Sequence, residues 1–187
     1  GDIGGSFFRE QAIALRKRGN KVGVIAPSFR SMRDWKGVFL KPYGLQRELD
    51  EGVSTYRWHN VNFTPRLRGA IKARWLTAGQ NLFNSYIKDN GIPDVIHVHS
   101  LLNAGFIAYK VKQKYGVPYV VTEHSSAFAR RFVDVRTIKK LQPVVRDAAK
   151  NIAVSGEFKK LLENTFKIRE WDYIPNIVND EFLKSEL

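Results

Sequence analysis

The sequence predicts an α/β protein with a parallel sheet covered by helices on both faces. Short apolar runs alternate with segments of about 10–15 residues whose apolar positions recur with a helical period. Two of the runs, 94–100 and 119–125, stop abruptly in histidine, glutamate and serine. The stretch between them, 104–115, is amphipathic and is closed by Gly116 and Pro118, so the three segments form a β-α-β unit. Because ligands of parallel sheets bind outside the carboxyl ends of the strands, we expect the chemistry at one edge of this sheet.

The remaining elements follow in a regular order. A first helix, 6–18, ends before Gly19, which suits a left-handed C-cap, and the apolar run 21–27 is a buried strand. The segment 28–52, rich in glycine, proline and aromatic residues, is expected to be an irregular surface excursion. Further elements are a strand at 53–59, a helix at 67–88 with one apolar face, strands at 94–100, 118–124, 151–155 and 172–175, and helices at 104–115, 136–150 and 157–166. This alternation predicts a doubly wound, Rossmann-like parallel sheet in a single three-layer α/β/α domain.

Composition narrows the class of protein. Of the 187 residues 43% are hydrophobic and 26% charged, as in globular proteins, and no stretch approaches the ~20 apolar residues of a membrane span. The absence of cysteine excludes disulfides and thiolate metal sites and favours a cytoplasmic location. The formal net charge of +13 favours an anionic partner, which can be nucleic acid, an acidic membrane or a phosphorylated substrate. No nucleic-acid-binding module is recognisable, so nucleic acid is not expected.

Basic residues concentrate in two places. One group is Arg66, Arg68, Lys72 and Arg74, and the other is Arg130, Arg131, Arg136, Lys139 and Lys140. The first group shares its helix with Trp75 and Leu76, so this helix suits reversible attachment to an anionic membrane if one of these two apolar side chains is exposed. The alternative is an ordinary solvated face.

The chain opens on a glycine-rich turn followed by a helix. Gly4 and Gly5 there would let backbone N–H groups approach a phosphate, which the helix dipole also favours. A tight turn that needs glycine dihedral angles explains them equally well. The spacing G-x-G-x-x-G is absent and no acidic residue ends the next strand, so a nicotinamide-dependent dehydrogenase is disfavoured.

Three of the four histidines lie at the two polar strand ends. His97 and His99 are two residues apart on one strand and so face the same way, while His124 follows Glu123 at the other strand end. A metal site is one interpretation, although no further ligand is placed nearby by the sequence. The favoured interpretation is a satisfied His97 in the core, with His99 and His124 available for hydrogen bonds or proton transfer to a substrate. For His124 a loop-capping role is the alternative.

The order of these segments resembles a known family. Six segments, in this order, are similar to the N-terminal, acceptor-binding domain of retaining glycosyltransferases of family 4, which have the GT-B fold. They are the glycine loop with its helix, KVGVIAP, DVIHVHS, GVPYVVTEHSS, NIAVS and IPNIVND. Enzymes of this family have two Rossmann-like domains that face a cleft. The first domain holds the acceptor, and the second holds a nucleotide-sugar donor.

The resemblance implies roles for individual residues. Gly4 and Gly5 match the loop that meets the donor's diphosphate, and His124 matches the histidine beside the reacting sugar, which makes it the expected catalytic residue. The acceptor-side positions are His99, Ser100, Glu123 and Ser125. Ser155 matches the serine that ends the strand before the hinge, and Asn176 lies in the hinge motif, where Ile177 replaces the usual glycine.

The resemblance also implies an organisation and an activity. We expect a Rossmann-like domain at 1–175 that lacks its first strand, the start of a hinge at 176–187, and a donor-binding domain that is absent. The parent enzyme is expected to be a hexosyltransferase of polysaccharide biosynthesis, acting with retention on a glycan or lipid-linked glycan, without a metal or other cofactor. The chain alone is expected to be inactive. The alternative is a non-catalytic basic α/β module that binds an anionic membrane or polymer.

Overall fold

The computed structural model describes residues 6–33, 40, 42–63 and 68–176. Parallel strands flanked by helices confirm the predicted α/β class and are consistent with a Rossmann-like fold. The chain divides into two compact units. The first contains the described residues up to Gly91, and the second is Ile92–Asn176.

In the first unit the structure describes helices and a three-stranded sheet. In chain order its elements are α1 (Ser6–Lys17), β1 (Gly23–Ser31), β2 (Gly44–Asp50), β3 (Val53–Asn62) and α2 (Arg68–Asn90). The central strand, β3, pairs in parallel with β1 and antiparallel with β2. Ala12 and Ile13 of α1 pack with Val53 of β3, and this apolar contact holds the helix to the strand that follows β2.

The prediction that 28–52 is irregular is wrong for 28–31 and 44–50, and residues 34–39 and 41 lie outside the described residues. The first strand continues to Ser31, and 44–50 forms the edge strand β2 of a hairpin with β3. The hairpin loop is Glu51 and Gly52, and both have positive φ (48° and 76°), as a two-residue hairpin turn of type I′ requires. Charged side chains occupy much of β2, which is a common protection for an exposed sheet edge and explains why the strand lacks an apolar signature.

The second unit contains a four-stranded parallel sheet. Its elements are β4 (Ile96–His99), a wide turn (Leu101–Gly105), α3 (Phe106–Tyr115), β5 (Tyr119–Glu123), α4 (Ser126–Ala129), α5 (Val135–Asp147), β6 (Lys150–Ala153), α6 (Gly156–Phe166) and β7 (Trp171–Tyr173). The strand order is β4-β5-β6-β7, and every neighbouring pair is parallel. All four strands therefore end at one edge of the sheet, here called the carboxyl edge.

The core of the second unit lies between this sheet and its helices. Its fully buried members include Tyr119 and Val121 of β5, Leu141 of α5, Phe166 of α6 and Trp171 of β7. These side chains come from two strands and two helices, so one apolar core holds the sheet and these helices together.

The last carbonyls of α5 are satisfied by side chains from the neighbouring strands. Ala148 is extended and provides no left-handed cap. Instead the buried Tyr119 hydroxyl donates to the Val144 carbonyl (2.5 Å), and the Asn151 side chain donates to the Val145 carbonyl (3.0 Å). Because an unpaired buried carbonyl costs free energy, these two bonds tie the end of α5 to β5 and β6.

Candidate functional site

The histidines predicted to form a site meet at the carboxyl edge. His99 is the last residue of β4 and pairs in register with Thr122, and His124 follows the last residue of β5. The structure therefore brings together His97, His99 and His124, as the two polar strand ends indicated. Gly4 and Gly5 lie outside the described residues.

The three imidazole rings form a chain of contacts. The ring centroids of His97 and His99 are 4.2 Å apart, and those of His99 and His124 are 5.3 Å apart. Nδ1 of His99 lies 3.1 Å from Nε2 of His124, so one of these two nitrogens donates the hydrogen bond and the other accepts it. At the far end of the chain, Nε2 of His97 lies 2.7 Å from the Thr122 hydroxyl. The rings are thus fixed relative to one another before any substrate arrives.

All three histidines are held in the neutral form near pH 7. Burial lowers the pKa of His97, and burial lowers the pKa of His99 to about 3, with smaller contributions from the two neighbouring histidines. Burial also lowers the pKa of His124, although the hydrogen bond between its ring and the Asn176 side chain acts in the opposite direction. A neutral imidazole offers one donor and one acceptor, and the bond between His99 and His124 uses one of these on each ring.

Glu123 is completely buried between the loops that follow β4 and β5. Its Oε2 accepts from the backbone N–H of Leu101 (2.7 Å), and its Oε1 accepts from the backbone N–H of Ser125 (2.7 Å). Burial raises the pKa of this carboxyl, and these hydrogen bonds, together with those from Ser100 and the His124 backbone, oppose that rise. The carboxylate is therefore directed at the protein backbone.

The backbone after β4 is strained at two non-glycine residues. Ser100 has φ 72° and ψ 129°, and Asn103, within the wide turn, has φ 65° and ψ −59°. Non-glycine residues in such regions each cost about 1–3 kcal/mol and persist where the surroundings over-determine them. The N–H of Ser100 donates to the Thr122 carbonyl (2.9 Å), so β5 supports the strained residue directly.

Two serines that the family resemblance singled out begin helices. The Ser125 hydroxyl accepts from the N–H of Ala127 (3.2 Å) and caps the short helix α4. The Ser155 hydroxyl accepts from the N–H of Phe158 (3.1 Å) and caps α6. Each of these hydroxyls has a local structural role. The acceptor-binding role expected of Ser125 stays a prediction.

Two further residues belong to the site although the sequence did not assign them to it. Thr122 is buried and contacts His97. The strand register is the signal that could have identified it, because Thr122 lies directly opposite His99 on the neighbouring parallel strand. The Asn176 side chain hydrogen-bonds His124, whereas the sequence indicated a hinge position for it. No local pattern could have signalled that second contact, since 52 positions separate the two residues.

The sequence left metal binding as an alternative role for His97, His99 and His124. Within the part of the chain that the structure describes, no group of three or more histidine, aspartate and glutamate side chains is arranged to hold a metal ion. Glu123, the carboxylate nearest in sequence to these rings, is turned toward the backbone of two loops. The geometry of this donor set thus gives no support to metal binding.

The two basic groups differ in how they present apolar side chains. Trp75 and Leu76 of α2 are half-buried, and the Arg74 guanidinium lies over the Phe29 ring, so the condition set for membrane attachment of this helix is not met. The five basic residues Arg130, Arg131, Arg136, Lys139 and Lys140, here called the basic cluster, are exposed, and so are Phe132 (76%) and Val135 (67%) among them. Among the described helices none is long and apolar enough to cross a bilayer.

Comparison with known protein families gives a match over most of the chain. The family model described as Glycosyltransferase Family 4 matches residues 4–182. No curated protein matches the chain. Because the family match spans nearly the whole sequence, including both histidine-bearing strands and the unit that contains them, the chain belongs to glycosyltransferase family 4.

Proposed function

We propose that this chain is the acceptor-binding part of a retaining glycosyltransferase of GT-B fold. The enzyme transfers a hexosyl group from a nucleotide sugar to a hydroxyl of a glycan or a lipid-linked glycan. The observation that supports the proposal most directly is the hydrogen-bonded pair His99–His124 at the carboxyl edge, where ligands of parallel sheets bind. Membership of the family adds the reaction class.

The proposed reaction exchanges one bond at the anomeric carbon of the donor sugar. The bond to the nucleoside diphosphate breaks, and a bond to the acceptor oxygen forms on the same face of the sugar. The proton of the acceptor hydroxyl leaves on the diphosphate, so charge and atoms balance. His124 contacts the reacting sugar, and its neutral ring orients a hydroxyl by hydrogen bonding.

Donor binding in this proposal needs a second domain, as in the GT-B enzymes that the sequence resembles. Gly4 and Gly5 contact the donor's diphosphate from the acceptor side, and His99 and Ser100 contact the acceptor. The chain alone then binds nucleotide sugars only weakly, with Kd above about 100 μM, because most of the binding energy comes from the second domain. Calorimetry with uridine and guanosine diphosphate sugars measures this, and submicromolar binding to the chain would contradict the domain assignment.

Replacement of His124 tests the catalytic assignment. In the complete enzyme we expect H124A to lower the rate of sugar transfer by about 10²-fold, since misplacement of a reacting group by about 1 Å costs that much. The matched control is His59→Ala, because His59 on β3 is the remaining histidine of the sequence. Transfer by H124A within threefold of the wild-type rate would refute the assignment.

A second candidate function is attachment to an anionic membrane through the basic cluster. Phe132 and Val135 are exposed apolar side chains among five exposed basic residues, an arrangement that suits the headgroup region of an acidic bilayer. Each basic residue close to such a surface contributes about 1 kcal/mol, so the cluster is sufficient for reversible binding at low salt. Asp134 lies within the cluster and offsets part of this attraction.

Vesicle sedimentation distinguishes attachment from a merely solvated surface. We expect the chain to pellet with phosphatidylserine vesicles and to remain in solution with phosphatidylcholine vesicles or in ~0.5 M salt, where the Debye length is only a few ångströms. F132S should weaken pelleting, whereas the matched control Leu49→Ser, equally exposed on β2, should not. Equal behaviour of the chain with the two kinds of vesicle would rule out this attachment.

A further inference from the structure

Glu123 connects the two loops that carry the site. Its oxygens accept from Leu101, the first residue of the wide turn after β4, and from Ser125, two residues beyond the end of β5. Both distances are 2.7 Å, which is short for a backbone N–H donor and typical of a carboxylate acceptor. One side chain thus fixes the spacing between the chain segments immediately after His99 and His124.

The connection supports a backbone conformation that would otherwise be unfavourable. Ser100 lies between His99 and the Leu101 N–H and has positive φ. Its own N–H is held by the Thr122 carbonyl, and the next N–H is held by Glu123, so two consecutive amides are anchored to β5. Anchors on both sides of a strained residue are what allow the strain to persist.

A fully buried carboxyl is a poor choice for stability alone. Its desolvation is costly, and apolar residues of similar volume often replace buried ionic groups without loss of stability. The use of both oxygens of Glu123 on two separate loops therefore points to a geometric role. We propose that Glu123 is a positioning residue, whose carboxylate fixes the loops after β4 and β5 and thereby sets the contact between His99 and His124.

The inference does not depend on sugar transfer, because its consequences are measurable in the chain itself. In E123Q the side chain keeps its shape but has one acceptor oxygen, and its NH₂ group faces a backbone N–H in the other position. We expect the ring ¹⁵N and ¹H signals of His99 and His124 to move in NMR spectra of the folded variant. Exchange of the Leu101 or Ser125 amide should accelerate at least about tenfold relative to wild type.

The control is Asn151→Leu on the neighbouring strand β6. Asn151 is buried and donates to the Val145 carbonyl, so its loss destabilises the same sheet without touching either loop. We expect N151L to leave the histidine ring signals unchanged. Ring signals of E123Q that superimpose on those of the wild type, or that move equally in N151L, would overturn the proposal.

A measurement on the wild-type chain covers the case in which E123Q fails to fold. The Leu101 and Ser125 amides each donate to Glu123 and not to a helix or strand carbonyl among the bonds of the described residues. We expect both amides to exchange about 100-fold or more slowly than in an unstructured peptide. Unprotected exchange at both positions would show that the carboxylate does not hold the loops.

Discussion

Replacement of His99 by glutamine should make the second unit more resistant to acid. His99 lies between His97 and His124, and burial among these rings lowers its pKa to about 3 from an ordinary value of 6.5. Below pH 6.5 an unfolded chain takes up a proton at this residue, whereas the folded chain does not. Stability therefore falls as the pH falls from about 6.5 toward the folded pKa, and it is regained as the pH rises.

The magnitude follows from the length of that pH interval. A pH of 4.5 is two units below the ordinary histidine pKa of 6.5. Each unit corresponds to 1.36 kcal/mol, so His99 lowers the free energy of unfolding at this pH by at most about 2.7 kcal/mol. Water that reaches the half-buried ring reduces this limit, so we expect about 1–2.5 kcal/mol. H99Q should lose that much less stability than the wild type between pH 7.5 and pH 4.5.

Other titrating groups near this edge are retained in both proteins. His97 and His124, whose pKa values are also lowered, contribute acid sensitivity of the same sign. Glu123, whose pKa is raised, contributes the opposite sign, because its ionisation above pH 4.5 disfavours the folded state. The comparison of H99Q with wild type largely cancels these contributions and leaves that of His99.

Urea unfolding followed through the amide signals of Val98 and Val121 reports on the second unit alone. Both residues are buried, on β4 and β5 respectively, and the local signals avoid the assumption that the two units unfold together. His59→Gln on β3 is the matched control and should keep the wild-type pH dependence of these signals. A pH dependence in H99Q equal to that of the wild type would refute the argument that the ring is held neutral by burial.

Two further predictions concern the supports of the site. Tyr119→Phe should destabilise the second unit by about 1–3 kcal/mol, because it leaves the Val144 carbonyl at the end of α5 buried without its donor, and urea unfolding measures the loss. Ser155→Ala should lower the free energy of unfolding by about 0.5–2 kcal/mol, because the cap on the Phe158 N–H at the start of α6 is lost. Ser155→Asp should retain most of the wild-type stability, because a carboxylate can also cap the helix. Equal stability of S155A and wild type would contradict the capping role.

The site edge could be predicted because two kinds of information agree there. Apolar runs locate the strands β4 and β5, and the parallel arrangement then places their polar ends together. Period-two alternation likewise put His97 and His99 on one face, and the structure shows their rings in contact. These inferences need only local periodicity and the geometry of a β-α-β unit.

The features that the sequence did not reveal depend on contacts between residues that are far apart in the chain. The hairpin strand β2 is exposed and charged, so it has no apolar period, and its turn at Glu51 requires a positive φ in a non-glycine residue. The wide turn at Leu101–Gly105 is likewise strained, and its support comes from β5, more than 20 positions further along the chain. Propensities of single residues carry no signal for conformations that neighbouring strands impose.

The net charge of the chain and the chemistry of its carboxyl edge are separate matters. The sequence carries a formal +13, yet His97, His99 and His124 are neutral near pH 7, and the acid beside them is Glu123. These rings thus supply no positive charge to a diphosphate, and their use in the proposed reaction is to orient hydroxyl groups. The loss of transfer caused by H124A should accordingly be similar in low and high salt, since hydrogen bonds of neutral groups are not screened. Membrane attachment through the basic cluster should decline steeply over the same range of salt, so the two functions can be separated in one protein by ionic strength alone.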